Sequence, residues 1–236
     1  MPLSRKTFLS TTALAASAAL LADDKRAIAA GPAGGGVHFH VLTQNEYDHA
    51  SMMKTIMTSL PHKQVFQSVS PLVITPTIAS VYLHMQNAMN GYQYSLGYGP
   101  SSLATLAVFI GPSIVFALND ATWKKYNIGG ALNLASTNIY YKATSNLDPA
   151  ATADDPNGLY QDWSAEAVLK RGGSFMVCHN ATTAVAALFA SKTGRTPQAV
   201  LAEFKQNLLP GFVLVPAGVT AVQLAQENGW KVYPII

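Results

Sequence analysis

From residue 37 onward the chain alternates apolar runs of strand length with stretches of helical periodicity, a rhythm that specifies βα units and a mostly parallel sheet. The clearest run is 104–110, which is apolar at almost every position, as a strand covered on both faces must be. Gly111-Pro112-Ser113 then breaks it and starts a helix reaching to about Tyr126, with Gly129 just beyond. The same unit recurs further on. A strand at 174–177 leads into an alanine-rich helix at 182–191, and a strand at 212–215 into a helix at 219–228 that Gly229 stops. Residues 231–234 supply the last strand. The expected fold is a three-layer α/β domain over 37–236, a mostly parallel sheet with helices on both faces.

The intervening segments fit this plan. Residues 37–42 read as an opening strand, and Thr43 with Glu46 forms a capping-box signature for the next helix. Along that helix Met53, Ile56, Met57 and Leu60 recur at helical spacing until Pro61. Residues 65–69 suit either a short strand or an extended loop. Residues 78–90 read as a helix closed by Gly91. A short helix at 164–170 ends at Arg171-Gly172-Gly173, and Thr196-Pro197 starts another that runs to about Leu208. Between them, 143–161 holds Pro149, Pro156, Gly158 and several aspartates, the composition of a long surface loop of the kind that serves as a lid or binding segment.

The N-terminus carries an address. Arg5 and Lys6 precede an Ala/Leu-rich stretch at 11–22, and Ala27-Ile28-Ala29 presents small residues for cleavage after Ala29. The arrangement resembles a twin-arginine export signal with Lys6 in place of the second arginine, and Sec export is the alternative route. Residues 1–29 are thus expected to be a signal peptide, 30–36 a flexible lead, and the protein periplasmic or otherwise exported. The apolar stretch falls short of the ~20 residues that a spanning helix needs, so no membrane span is expected after cleavage. The formal net charge is +3. Arg5, Lys6, Lys25 and Arg26 against Asp23 and Asp24 account for most of that excess, and no basic stripe remains to bind nucleic acid.

Cys178 is the single cysteine of the 236 residues, which excludes an intrachain disulfide and a cysteine metal cluster. It falls at the carboxyl end of the 174–177 strand, where open parallel sheets gather reactive groups. The following helix directs free N–H groups and the positive end of its dipole at the sulfur, which favours the nucleophilic thiolate. His179 adds support if protonated, and Asn180 is placed to cap the helix. The alternative is a buried cysteine acting as a small hydrophobe.

These residues also carry a resemblance. In the segment 169–180 a glycine precedes an apolar strand ending in Val177-Cys178, which resembles the corresponding segment of DsrE/DsrF-like proteins. The tail is similar to that family's C-terminal pattern: a strand, the small-residue turn Pro216-Ala217-Gly218, a helix with Val222, Leu224 and Gln226, then Asn228-Gly229 and a closing strand. Asn119-Asp120 through Trp123 to Tyr126 looks like exported members. The resemblance spans about 78–234. It implies a flavodoxin-like sheet, a homo-oligomer, and a cysteine carrying sulfur as a persulfide between a donor and an acceptor protein, a role only Cys178 can fill. No cofactor is expected.

Other readings stay open. On the same fold the protein is a non-catalytic binding or assembly module, with Cys178 structural and the 143–161 loop plus Tyr92, Tyr94 and Tyr98 as the recognition surface. His38 and His40, alternating on the opening strand, share one face and with His49 or His84 offer imidazoles for Zn or Cu. His62, after Pro61, carries no signal. Hydrolase, phosphate-loop and dinucleotide motifs are absent from the sequence.

Overall fold

The computed structural model describes residues 37–100 and 102–235; the expected signal peptide and lead lie outside them. Residues 39 onward form a compact unit. Its sheet has five strands: β1 (His62–Ser68), β4 (Leu103–Phe109), β5 (Ser174–Cys178), β6 (Phe212–Val215) and β7 (Lys231–Ile235). They lie in the order β6-β5-β4-β1-β7, and every pairing is parallel. A small antiparallel hairpin, β2 (Val73–Thr75) and β3 (Ile78–Ala79), stands apart. The layering matches the expected three-layer α/β plan.

The central strand β4 is buried at every position. On one face Ala107 and Phe109 join a large core with Phe66, Phe175 and Phe212. Over this face lie α2 (Ser80–Asn90), α3 (Asp120–Tyr126), α5 (Ala165–Lys170), α6 (His179–Thr193) and α7 (Pro197–Gln206), through side chains such as Tyr82, Trp123, Val168, Phe189 and Phe204. Its centre is aromatic: Phe175 stacks on Phe212 at 4.6 Å, and Tyr82 meets Phe175 edge-on at 5.5 Å. On the other face Ala104, Leu106 and Val108 pack with Met176 under α1 (His49–Ile56) and α8 (Gly218–Glu227), which contribute Met52, Ile56, Ala221, Val222 and Ala225. A short helix α4 (Ile128–Leu132) follows α3.

Local chemistry sets the element ends. Asp48, Asn119, Ser164 and Thr196 each accept an N–H in the first turn of α1, α3, α5 and α7. Thr43 and Glu46 form a box, the Glu46 carboxylate accepting both the N–H and the hydroxyl of Thr43 at 2.8 Å. It closes a separate 3-10 turn, Gln44–Glu46, and not the helix expected after it, which starts at His49 under the Asp48 cap.

The structure corrects two further expectations. Residues 37–42 form no strand; Phe39 and Val41 are exposed, because a period of two makes a strand only where a partner edge is paired. The sheet opens instead at His62–Ser68, which resolves the ambiguity of 65–69. The single helix expected from 111 to 126 is two pieces, a 3-10 segment Gly111–Ala117 and α3. Leu118 between them is extended and bridges to Leu208, while the Asn119 side chain donates to the Asn207 carboxamide at 2.8 Å.

The 143–161 segment is irregular apart from a short turn, Leu159–Gln161, and polar pins fix it. The buried Asp162 carboxylate accepts the N–H groups of Thr144, Ser145 and Ser164 at 2.8, 2.7 and 3.0 Å. Burial alone would raise its pKa, but these bonds outweigh it and hold the group below the usual carboxylate range. Arg171 donates to Gln86 (2.5 Å), Asn90 (2.6 Å) and Gln93 (3.0 Å) and lies over the Tyr160 ring at 4.8 Å. Burial pushes its pKa down to about 10, which leaves it charged at neutral pH.

Two outcomes follow from this packing. Phe175→Ala should cost about 3–5 kcal/mol in urea unfolding, since it empties the centre of the aromatic core. Glu203 joins α3 to α7: although burial opposes ionisation, bonds from Lys125, Arg195 and Tyr126 hold its carboxyl down at about 2, below the ordinary 4.5. A carboxyl depressed in the folded state adds stability above the unfolded pKa and loses it as pH falls toward the folded one. Stability measured from pH 4.5 down to 2 should therefore drop, and Glu203→Gln should flatten that part of the curve.

Candidate functional site at the carboxyl edge of the sheet

β5 and β6 are neighbours, with Cys178 opposite Val215. The chain nevertheless leaves them toward opposite faces, from β5 into α6 over the large core and from β6 into α8 over the smaller one. In open α/β sheets such a divergence at the carboxyl edge is where ligands and reactive groups collect. In flavodoxin the divergence lies beside the first strand; here the strand order moves it to β5–β6.

Cys178 stands at that point and is itself the N-cap of α6. Its backbone is extended (φ −70, ψ 117), its Sγ accepts the Ala181 N–H at 3.3 Å, and its carbonyl accepts the Thr182 hydroxyl at 2.8 Å. The sulfur thus meets an amide donor and the positive end of a fifteen-residue helix, groups that pair with negative charge. The side chain is 4% exposed. The start of α8 closes over it: a Cβ on Gly218 would come within 2.5 Å of Ile110 Cγ1 and 3.1 Å of Cys178 Cβ. Only glycine allows that approach.

The neighbours of Cys178 depart from the sequence expectation. Asn180 lies inside the first turn of α6 and is not the cap; the cysteine takes that role. His179 is the first residue of the helix, 2% exposed, and neither ring nitrogen has a hydrogen-bond partner among the described residues. Burial pushes its pKa down, Lys205 and His40 add to this, and Glu46 opposes it. The ring is therefore neutral at neutral pH and supplies no positive charge to the thiol. Sequence reasoning missed Gly218 and Ile110 as neighbours of Cys178. The small-residue turn 216–218 was visible, but nothing in the sequence tied it to β5.

The remaining candidates separate. His40 pairs with Glu46 at 2.7 Å, His49 meets Tyr47 at 5.8 Å between ring centroids, and His84 lies against Tyr233 at 5.2 Å. The shared strand face assumed for His38 and His40 does not exist, since residues 37–43 are irregular. Among the described residues no three histidine, cysteine or acidic side chains gather as metal ligands. Tyr92 and Tyr98 pack on His62 at 4.8 and 4.6 Å, whereas Tyr94 meets Tyr160 edge-on at 5.2 Å. That last contact, with Arg171, joins the 143–161 loop to the tyrosine segment. Among the described residues no helix is long and apolar enough to cross a membrane.

The fold and this edge define a three-layer α/β protein with a cysteine-capped helix at the divergence of two strands. Compared with protein-family models, with curated proteins and with solved structures, the chain gives no match.

Two measurements probe the edge. Gly218→Ala should destabilise the protein by about 1–3 kcal/mol in urea unfolding, because the added methyl meets Ile110 and Cys178 in a packed layer. A histidine whose pKa is lowered on folding makes the unfolded state the better proton acceptor, so stability falls as pH drops below the ordinary 6.5. His179→Leu should reduce that part of the pH dependence, leaving the share of His84, whose pKa burial also lowers, and should not alter the lower window to which Glu203 contributes.

Proposed function

We propose that the protein is an exported sulfur carrier of the DsrE/DsrF-like kind, in which Cys178 holds sulfane sulfur as a persulfide. One observation carries the reading: the Cys178 sulfur accepts the Ala181 N–H at the N-terminus of α6, at the β5–β6 divergence. The motif resemblance at 169–180 and 209–229 points to the same atom. In the transfer, the Cys178 thiolate attacks the outer sulfur of a donor persulfide R–S–SH. The donor S–S bond breaks, R–S⁻ leaves and takes up a proton, and Cys178–S–SH remains. An acceptor thiolate then attacks the outer sulfur in turn, so no net oxidation occurs. The same N–H and helix end that meet the sulfur would stabilise the thiolate that each step consumes or releases.

The 4% exposure of Cys178 sets a condition. A donor reaches the sulfur only when the 216–218 turn lifts, a local opening of the kind that functional edges undergo. A donor and an acceptor protein, and assembly with further copies of the chain, belong to this proposal.

The same burial favours a second reading, a binding or assembly module in which Cys178 only packs, since it belongs to the large apolar core. There the 143–161 loop with Tyr94 and Tyr160 is the recognition surface.

The test is intact-mass analysis after incubation with glutathione persulfide. The carrier reading expects a gain of one sulfur atom that dithiothreitol removes and that Cys178→Ser abolishes. No gain, together with no alkylation of native Cys178 by iodoacetamide, overturns it and leaves the packing role.

A further inference from the structure

At the opposite end of the sheet is a second feature that the sulfur chemistry does not use. An open cavity of about 400 Å³ lies at the amino edge, between α1, the first residues of β4 and β5, and Trp230. Ser174 and Cys178 are the two ends of β5, which separates this cavity from the thiol by about 13 Å of strand rise.

Its lining is polar in an organised way. Ser51, Lys54, Thr55 and Thr58 line it from α1 and the turn after it, three, four and seven residues apart, which is one face of a helix. Met52 and Ile56, on the adjoining face, are buried in the smaller core. The cavity stripe is therefore not the apolar stripe that holds α1 to the sheet. Ser174 faces it from the start of β5, beside Gly172, whose φ of +87 and empty surroundings leave the wall open.

The polar groups on this wall are committed only in part. Thr55 spends its hydroxyl on the Ser51 carbonyl at 3.1 Å. The Ser51 hydroxyl is drawn to the Asp48 carboxylate, while the Ser174 hydroxyl bonds to no described residue and Lys54 has no ion pair among them. Thr105 adjoins the cavity, but its hydroxyl is buried on the other face of β4, beside Gly173, and takes no part. The floor is apolar and fixed: Trp230 is 3% exposed with its indole N–H donated to the Ile56 carbonyl at 2.9 Å, and Ala104 and Leu60 adjoin it. Among the described residues no acidic side chain lines the cavity itself; Asp48 adjoins it through Ser51.

We propose that this cavity binds a small hydroxylated monoanion of the sugar-acid class. A single ammonium without a carboxylate beside it matches one negative charge. The Ser174 hydroxyl, both donor and acceptor, and the Thr58 hydroxyl, which keeps its proton to donate, match ligand hydroxyls. An indole and aliphatic floor matches the C–H face of a carbon ring. The volume lies at the small end of ligand pockets and suits a hexose-sized molecule. The site does not rest on the sulfur-carrier reading, and each survives the failure of the other.

The test is isothermal titration of the full chain with D-glucuronate, D-glucose and sulfate. Saturable glucuronate binding is expected, weakened by about tenfold for glucose and for Lys54→Met, the loss of one exposed charged contact. Ser174→Ala should weaken glucuronate further without altering the unfolding midpoint of the free protein. Cys178→Ser should leave binding unchanged. Absence of glucuronate binding, equal affinity for glucose, equal affinity in a folded Lys54→Met variant, or binding of sulfate alone would each overturn the assignment.

Discussion

The strand β4 is the constraint on which the remaining structure depends. All seven of its residues are buried, and its backbone is paired on both sides by β1 and β5. A strand apolar on both faces cannot rest at a surface, so it demands a helical layer above and another below. Phe109 and Ala107 set the large core; Leu106 and Val108 set the smaller one. Fully burying such side chains contributes on the order of 1.5–3 kcal/mol each, more than any single surface contact in the protein supplies.

Once two layers are required, the chain must cross from one to the other, and it does so at one place. The connections after β1, β4 and β5 run over the large core, while the one after β6 runs over the smaller core. The crossing makes β5 and β6 neighbours whose exits part, with Cys178 at the lip. The helix ends there are not interchangeable with those at the amino edge. At the carboxyl edge, N-termini of α6 and α8 bring positive dipole ends and, at Gly218, bare backbone. At the amino edge, hydroxyls and Lys54 surround an open cavity. The sheet thus has two chemically distinct ends, one presenting helix N-termini and bare backbone, the other hydroxyls and an ammonium.

Polar pins keep the long loop beside this frame. Arg171 is a half-buried cation met by three amide oxygens and a tyrosine face, with no carboxylate among those partners. Such a site spreads one charge over neutral dipoles, and its fork geometry fixes α2, the tyrosine segment and Tyr160 together. Asp162 does the complementary work for 144–145 and the start of α5. His179 is the opposite case, a buried ring without partners among the described residues, whose lowered pKa ties the packing of the carboxyl edge to its neutral form.

Much of this frame is legible in the residues themselves. The unbroken apolar run of β4, the glycine after α8, Pro197 after Thr196 and the Thr43–Glu46 box each act through short-range sterics or local hydrogen bonds, so their outcome is written in neighbouring residues. The failures share one cause. Residues 37–42 have a strand's alternation but pair with no strand, and Leu118 interrupts a helical pattern because it bridges to Leu208, ninety positions away. The site divides in the same way. Local sequence placed Cys178 at a strand-to-helix junction. Its burial, its replacement of Asn180 as the cap, the glycine that covers it and the neutral state of His179 come from contacts between distant segments. Such contacts exist only once both cores are packed.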